Sequence, residues 1–159
     1  MTSPKISIRQ GRIQDIDALV DLLSELFSIE EDFEFNAIKQ RKGLEQILAD
    51  VSGKKCIMVA DNSGKTMGMC TAQILISTAE GGPAIMIEDM IVLEGFRGKG
   101  IGKALLKAME YWSIKNGVTR LQLLADKNNL SALEFYKMNG WGNTQLICLR
   151  KNIDPVYSG

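Results

Sequence analysis

Residues Ala84–Lys107, AIMIEDMIVLEGFRGKGIGKALLK, decide how the rest of this chain is read. Ala84–Leu93 is dominated by Ile, Met, Val and Leu, broken only by Glu88 and Asp89, and reads as a buried strand. From Ile101 the apolar residues fall at Ile101, Ala104, Leu105, Ala108, Met109 and Trp112, the spacing of one helical face. Between strand and helix lies Arg97-Gly98-Lys99-Gly100-Ile101-Gly102. Glycines at such a turn leave backbone N–H groups unshielded at the positive end of a helix, an arrangement that suits phosphate. Two common phosphate loops are excluded by spacing. A dinucleotide fingerprint needs G-x-G-x-x-G, but Lys103 holds the sixth place; a nucleoside-triphosphate loop needs Ser or Thr after Gly102-Lys103, and Ala104 is there. The pattern R-x-x-G-x-G is met by Arg97, Gly100 and Gly102, with a ligand-free glycine turn as the plain alternative.

Composition narrows the classes. The 159 residues suit one domain, 1–159, with a sizeable core. Nineteen basic residues balance nineteen acidic ones, so charge favours neither nucleic acid nor an anionic membrane as partner. The first residues, MTSPKISIRQGR, lack the apolar core of a signal peptide, and no apolar run approaches membrane-spanning length, so a cytoplasmic location is the expectation. The absence of histidine excludes His-containing zinc sites, Cys–His dyads and Ser–His–Asp triads. Cys56, Cys70 and Cys148 are far apart and flanked by strand-like residues, and are expected as buried small hydrophobes. No metal site is expected.

In chain order, Lys5–Arg9 reads as a short strand and Ile16, Leu19, Val20, Leu23, Leu26 and Phe27 as a helical stripe. An acidic cluster follows, Glu30, Glu31, Asp32 and Glu34, interleaved with Phe33 and Phe35; a second helix is expected over Asn36–Asp50. Strands at Lys55–Ala60, Thr66–Ser77 and Ala84–Leu93 are joined by short polar turns and predict an antiparallel meander. The helix after Gly100 should stop at Asn116-Gly117, and Arg120–Leu124, reached by a helical crossover, should lie parallel to Ala84–Leu93. Ser131-x-x-Glu134 matches a capping box opening a short helix to Asn139, and Gln145–Lys151 reads as a last strand.

With the acids of the preceding strand, R-x-x-G-x-G resembles the pyrophosphate loop of the GNAT superfamily of N-acetyltransferases. A second stretch is similar to that family's N-x-x-A-x-x-x-Y-x-x-x-G-[FWA] segment, matched at Asn129, Ala132, Tyr136, Gly140 and Trp141. The run from Ile87 through Gly102 looks closest to diamine and polyamine acetyltransferases. The resemblance implies an α/β fold: a mixed, mostly antiparallel central sheet flanked by helices, with a splayed parallel strand pair at the cofactor site. It implies acetyl-CoA as donor, a small-molecule amine as acceptor and a homodimer as a frequent state. The pantetheine would pair with the backbone of Met90, Ile91 and Val92, and the amides of Gly98, Lys99, Gly100, Ile101, Gly102 and Lys103 would surround the pyrophosphate. Arg97 either adds charge there or makes a surface salt bridge; Asn129, with Ala132, contacts cofactor, caps the helix, or both.

An attacking amine must be neutral, so a carboxylate is needed to take its proton directly or through water. Glu88 and Asp89 are adjacent and face opposite ways in a regular strand unless a bulge intervenes. The resemblance to polyamine-type members makes Glu88 the base candidate, with amine recognition or a structural hydrogen bond as the other readings of the pair. Tyr136 stands where the family has its general acid for the leaving thiolate; core packing is the other reading, and it is the one kept for Tyr111 and Tyr157. Glu31 and Asp32, with Glu88, would bind a cationic acceptor such as a diamine or polyamine, with a solvated acidic surface as the other reading of that cluster. The alternatives are acceptors among amino-acid, peptide or protein amines, or a non-catalytic acyl-CoA sensor module.

Overall fold

A computed structural model describes residues 5–155, so Tyr157 lies outside the described residues. The chain forms two compact units, one ending at Leu123 and the other beginning at Leu124.

The first unit is built on one five-stranded sheet in the order β1-β2-β3-β4-β5: β1 Ile6–Gln10, β2 Lys55–Asn62, β3 Lys65–Ser77, β4 Gly82–Val92 and β5 Leu121–Leu123. The first four strands pair antiparallel and β4–β5 pair parallel, as the short turns and the helical crossover require. Strand β2 returns through Ser63-Gly64 with φ of 50° and 92°, a two-residue turn whose twist matches the flanking strands. The Asp61 carboxylate fixes that turn by accepting the Gly64 N–H at 2.7 Å. Helices α1 (Ile16–Ile29), α2 (Ala37–Leu48) and α3 (Ile101–Lys115) complete the unit. Asn36 caps α2 by accepting the Lys39 N–H at 3.1 Å, so this helix starts one residue later than expected. Helix α3 ends in a Schellman turn: Val118 N–H reaches the Ser113 carbonyl and Gly117, at φ 71°, that of Ile114.

Strand alternation sends the two faces to different helices. Ile57, Val59, Met69 and Ile91 pack with Leu19, Leu22, Leu23 and Leu26 of α1 and Leu44 of α2. The other face carries α3. A Cβ on Gly68 of β3 would stand 3.2 Å from Leu105 of that helix and only 2.9 Å from the Ile91 carbonyl oxygen of β4. Glycine is what lets α3 and β4 approach there. Cys56 and Cys70 are buried as expected, and burial pushes the Cys56 thiol up to about 12. Among the described residues, no helix is long and apolar enough to cross a membrane.

The second unit holds α4, Leu130–Met138. The expected capping box at Ser131 is not its start; Asn129 is the cap, two residues earlier, with its Oδ1 accepting the Ala132 N–H at 3.1 Å. The expected strand at Gln145–Lys151 is not formed. Leu146, Ile147 and Leu149 are more than four-fifths exposed, and no strand pairs with them among the described residues. Alternating apolar residues favour extended backbone, but a strand exists only where a neighbour supplies the ladder. Cys148 lies in this stretch and is exposed, contrary to expectation.

Candidate active site

The acids of β4 are gathered by a bulge. Cys70 pairs with Met90 and Ala72 with Ile87, so Glu88 and Asp89 together oppose the single residue Thr71. The bulge shifts the alternation by one residue. Met86, opposite Gln73, and Ile91, opposite Met69, are therefore on the same face although they lie five positions apart. Glu88 follows Met86 and Asp89 precedes Ile91 on that face, and both carboxylates line one cavity of about 350 Å³ beneath α1 and α2. The expectation that only one could face a substrate without a bulge is resolved by the bulge itself.

Thr71 fixes the nearer acid. Its hydroxyl donates to Asp89 Oδ2 at 3.2 Å and accepts the Asp89 N–H at 3.1 Å. The Asp89 carboxyl is pushed up to about 6, first by burial and then by the neighbouring Glu88 charge, with the Thr71 hydrogen bond working the other way. Glu88 is the exposed member of the pair. Thr71 was not singled out from sequence, although it is a buried polar residue inside an apolar strand.

The rest of the cavity comes from both helices and two strands. Leu23 and Phe27 of α1 and Leu44 and Ile47 of α2 give it apolar walls, while Lys39, Lys55 and Gln73 bring polar groups to its rim. Gly43 also lines it. Glycine inside a helix sacrifices about 1 kcal/mol relative to alanine, and here it keeps a wall free of side chain. Glu31 and Asp32, expected to bind acceptor, sit on the exposed α1–α2 loop and are not among the lining residues. Phe33 stacks on Phe27 with ring centroids 5.6 Å apart, so the aromatic of that loop touches the wall where the acids do not.

Next to the acids, the sheet opens. β5 pairs with β4 only over Ile85–Ile87, leaving Glu88–Val92 beyond its end. Leu93 N–H donates to the Met67 carbonyl of β3, so by alternation the Ile91 backbone also faces β3. Met90 and Val92 present theirs to the open edge, whereas Ile91, the third residue named for pantetheine from the sequence, does not. Arg97 takes one of those groups: its Nε donates to the Val92 carbonyl at 2.9 Å and its Nη2 to Glu25 at 2.9 Å. Glu25 also accepts the Glu94 N–H at 3.0 Å, so the arginine of the motif stands in a salt bridge tying the turn to α1.

The turn itself is shaped by Gly98 and Gly100, with φ of 74° and 81°. A Cβ on either meets no atom of the protein within 4 Å; what demands glycine inside the chain is the left-handed backbone. Gly100 is the N-cap of α3, and the first intrahelical bond runs from Ala104 N–H to its carbonyl at 3.0 Å. The amides of Ile101, Gly102 and Lys103 therefore precede the ladder and point outward at the positive helix end. Lys99 and Lys103 are exposed, with the Lys99 ammonium 5.2 Å from the Phe96 ring centre.

In the second unit, the five matched motif positions are those of a capped helix. Asn129 and Ala132 make the N-cap bond. Gly140, at φ 89°, and Trp141 close a Schellman turn on the carbonyls of Lys137 and Tyr136. The Tyr136 and Trp141 rings meet edge to face at 6.0 Å. Tyr136 is partly buried, with its ring also against Phe135 at 5.3 Å.

Comparison with known proteins gives the family and the fold. The model of the Acetyltransferase (GNAT) family matches residues 16–141. An uncharacterized N-acetyltransferase of Bacillus subtilis (strain 168), YhfO, is 25% identical over 138 residues, 86% of this chain and 89% of the relative. An aminoglycoside N-acetyltransferase, AAC(6')-Iy, solved in complex with CoA, superposes with a TM-score of 0.81 at 19% identity, covering 95% of this chain and 97% of the other. Glucosamine-6-phosphate N-acetyltransferase from Arabidopsis thaliana superposes with a TM-score of 0.74 at 23% identity, covering 94% and 99%.

Proposed function

Because the chain belongs to the GNAT acetyltransferase family and is an acetyl-CoA-dependent N-acetyltransferase, we propose that it acetylates a small-molecule primary amine held in the cavity beneath α1 and α2, with Asp89 as the base. The observation that carries this reading is the bulge opposite Thr71, which turns two carboxylates into one cavity, where burial and the Glu88 charge raise Asp89 to about 6. A base whose pKa lies close to the working pH is both ionised and able to take a proton. Glu88 keeps the amine-recognition role that the sequence left open for it, and its charge raises Asp89. The α3 amides with their left-handed glycines fit a pyrophosphate, and the open edge at Met90 and Val92 fits the amide groups of pantetheine. Acetyl-CoA, when bound, would supply the activated thioester; the chain's residues would orient it and move protons. Tyr136 is the proton donor to the leaving thiolate, a role supported by the family motif in which it stands.

Aminoglycoside and amino-sugar phosphate, the acceptors in the names of the two solved proteins, are small-molecule amines and support an acceptor of that size. A diamine or polyamine rests here on Glu88 and Asp89 alone, because Glu31 and Asp32 do not line the cavity and two lysines do. The test is thiol release from acetyl-CoA on addition of small primary amines. Release that depends on the amine is expected. Binding of acetyl-CoA without release for any amine would make the chain a sensor and overturn the proposal.

A further inference from the structure

Charges of both signs line the cavity, and they do not neutralise one another. Lys39 projects from the first turn of α2, Lys55 from the first residue of β2, and Glu88 and Asp89 from the bulge. None of the ion pairs among the described residues joins either lysine to either acid. The register sets how far apart the strand members stand. Lys55 lies in one row with Gln73 and Met86, and Asp89 lies three residues further along β4. Because the bulge sets Asp89 level with Thr71, two strand spacings and a two-residue rise separate the Lys55 and Asp89 Cα atoms by roughly 12 Å. No ion pair among the described residues closes that span, and a small molecule gripped at both ends would bridge it. An acceptor with amines alone would bring its remote cationic end toward Lys39 and Lys55, an unfavourable like-charge approach at the rim.

We propose that the acceptor is an amine that also carries an anionic group, its amine directed to Glu88 and Asp89 and its anion to Lys39 and Lys55. This rests on the acetyltransferase reading above and goes further by fixing the charge pattern of the substrate. The shared chemistry is an anion at a distance from a primary amine; a carboxylate and a phosphate would each satisfy it. The flexible ammonium groups of two lysines bind either as point charges, without demanding the planar geometry that an arginine fork would impose.

The experiment compares acceptors matched in length: pentylamine, cadaverine, δ-aminovalerate and aminopropyl phosphate, each with acetyl-CoA and a thiol readout. One anion contact should raise kcat/KM about tenfold over pentylamine, the scale of a charge-assisted hydrogen bond, with the gain in KM. The two anionic acceptors tell carboxylate from phosphate, and a preference for either supports the proposal. In the double variant Lys39→Gln and Lys55→Gln, the ratio of anionic to neutral acceptor should fall toward one. Both lysines are exposed, so the fold tolerates the change, and an acetyl-CoA melting shift equal to that of the parent verifies it. Cadaverine or pentylamine used as well as either anionic acceptor overturns the proposal while leaving the transferase reading intact. A preference that survives in the double variant also overturns it. No thiol release with any acceptor overturns both readings together.

Discussion

Asp89→Asn separates catalysis from stability in opposite directions. The carboxyl is pushed from its ordinary 3.8 to about 6, so the folded protein holds its proton more tightly than the unfolded chain does between those values. Stability from this group is therefore present at low pH and is lost as pH rises through the window, by about 3 kcal/mol at 1.36 kcal/mol per pH unit. Asparagine never ionises, so the variant should lose this slope and be the more stable protein above pH 6. Catalysis goes the other way. With a base near 6, about a tenth of Asp89 is ionised at pH 5, and kcat/KM there should be roughly a tenth of its plateau. In Asp89→Asn, kcat should fall by ~10²–10⁴ and this acidic limb should vanish. Glu88→Gln removes a neighbouring charge that raises Asp89, and so should move the limb to lower pH without abolishing it. An acceptor amine titrating near 10 adds the same dependence to every variant, so the ratio of parent to variant across pH isolates the acid pair. Urea melts and thiol-release rates from pH 4 to 9 measure both effects. If Glu88→Gln erases the limb while Asp89→Asn keeps it, the assignment of the base is refuted.

Three further outcomes follow from the geometry. Tyr136→Phe keeps the ring against Trp141, so its melting temperature and acetyl-CoA affinity should match the parent while kcat falls by ~10²–10⁴, read by steady-state kinetics with calorimetry. Gly68→Ala forces a Cβ to within 2.9 Å of the Ile91 carbonyl, so chemical denaturation should show a loss of ~1–3 kcal/mol, the usual scale of overpacking. Glu25→Ala removes the acceptor shared by Arg97 and the Glu94 amide, and should raise KM for acetyl-CoA several-fold with kcat little changed; an unaltered KM would show the turn holds its shape without α1.

The signals that act over a few residues were legible in the sequence. Glycines followed by a helical stripe marked the turn before α3, because φ near 80° at Gly100 and the 3.6-residue period are properties of the local chain. The Asn129, Gly140 and Trp141 positions were likewise readable, since a cap and its Schellman turn involve neighbours only. Hairpin turns and a crossover helix then forced the antiparallel and parallel pairings. What the sequence left open depended on register between distant segments. Whether Glu88 and Asp89 share a face was decided by which β3 residue stands opposite them, and no local pattern announces that Thr71 faces both. The raised Asp89 carboxyl follows from that bulge and from burial under α1 and α2. Gln145–Lys151 has the alternation of a strand but no ladder partner among the described residues, and pairing is a property of two segments rather than one. The acceptor end of the site shows the same limit. Glu31 and Asp32 stand out in sequence because they are clustered, yet the cavity is charged by Lys39 and Lys55, which are remote from the acids along the chain and are brought beside them by packing of α2 and pairing of β2.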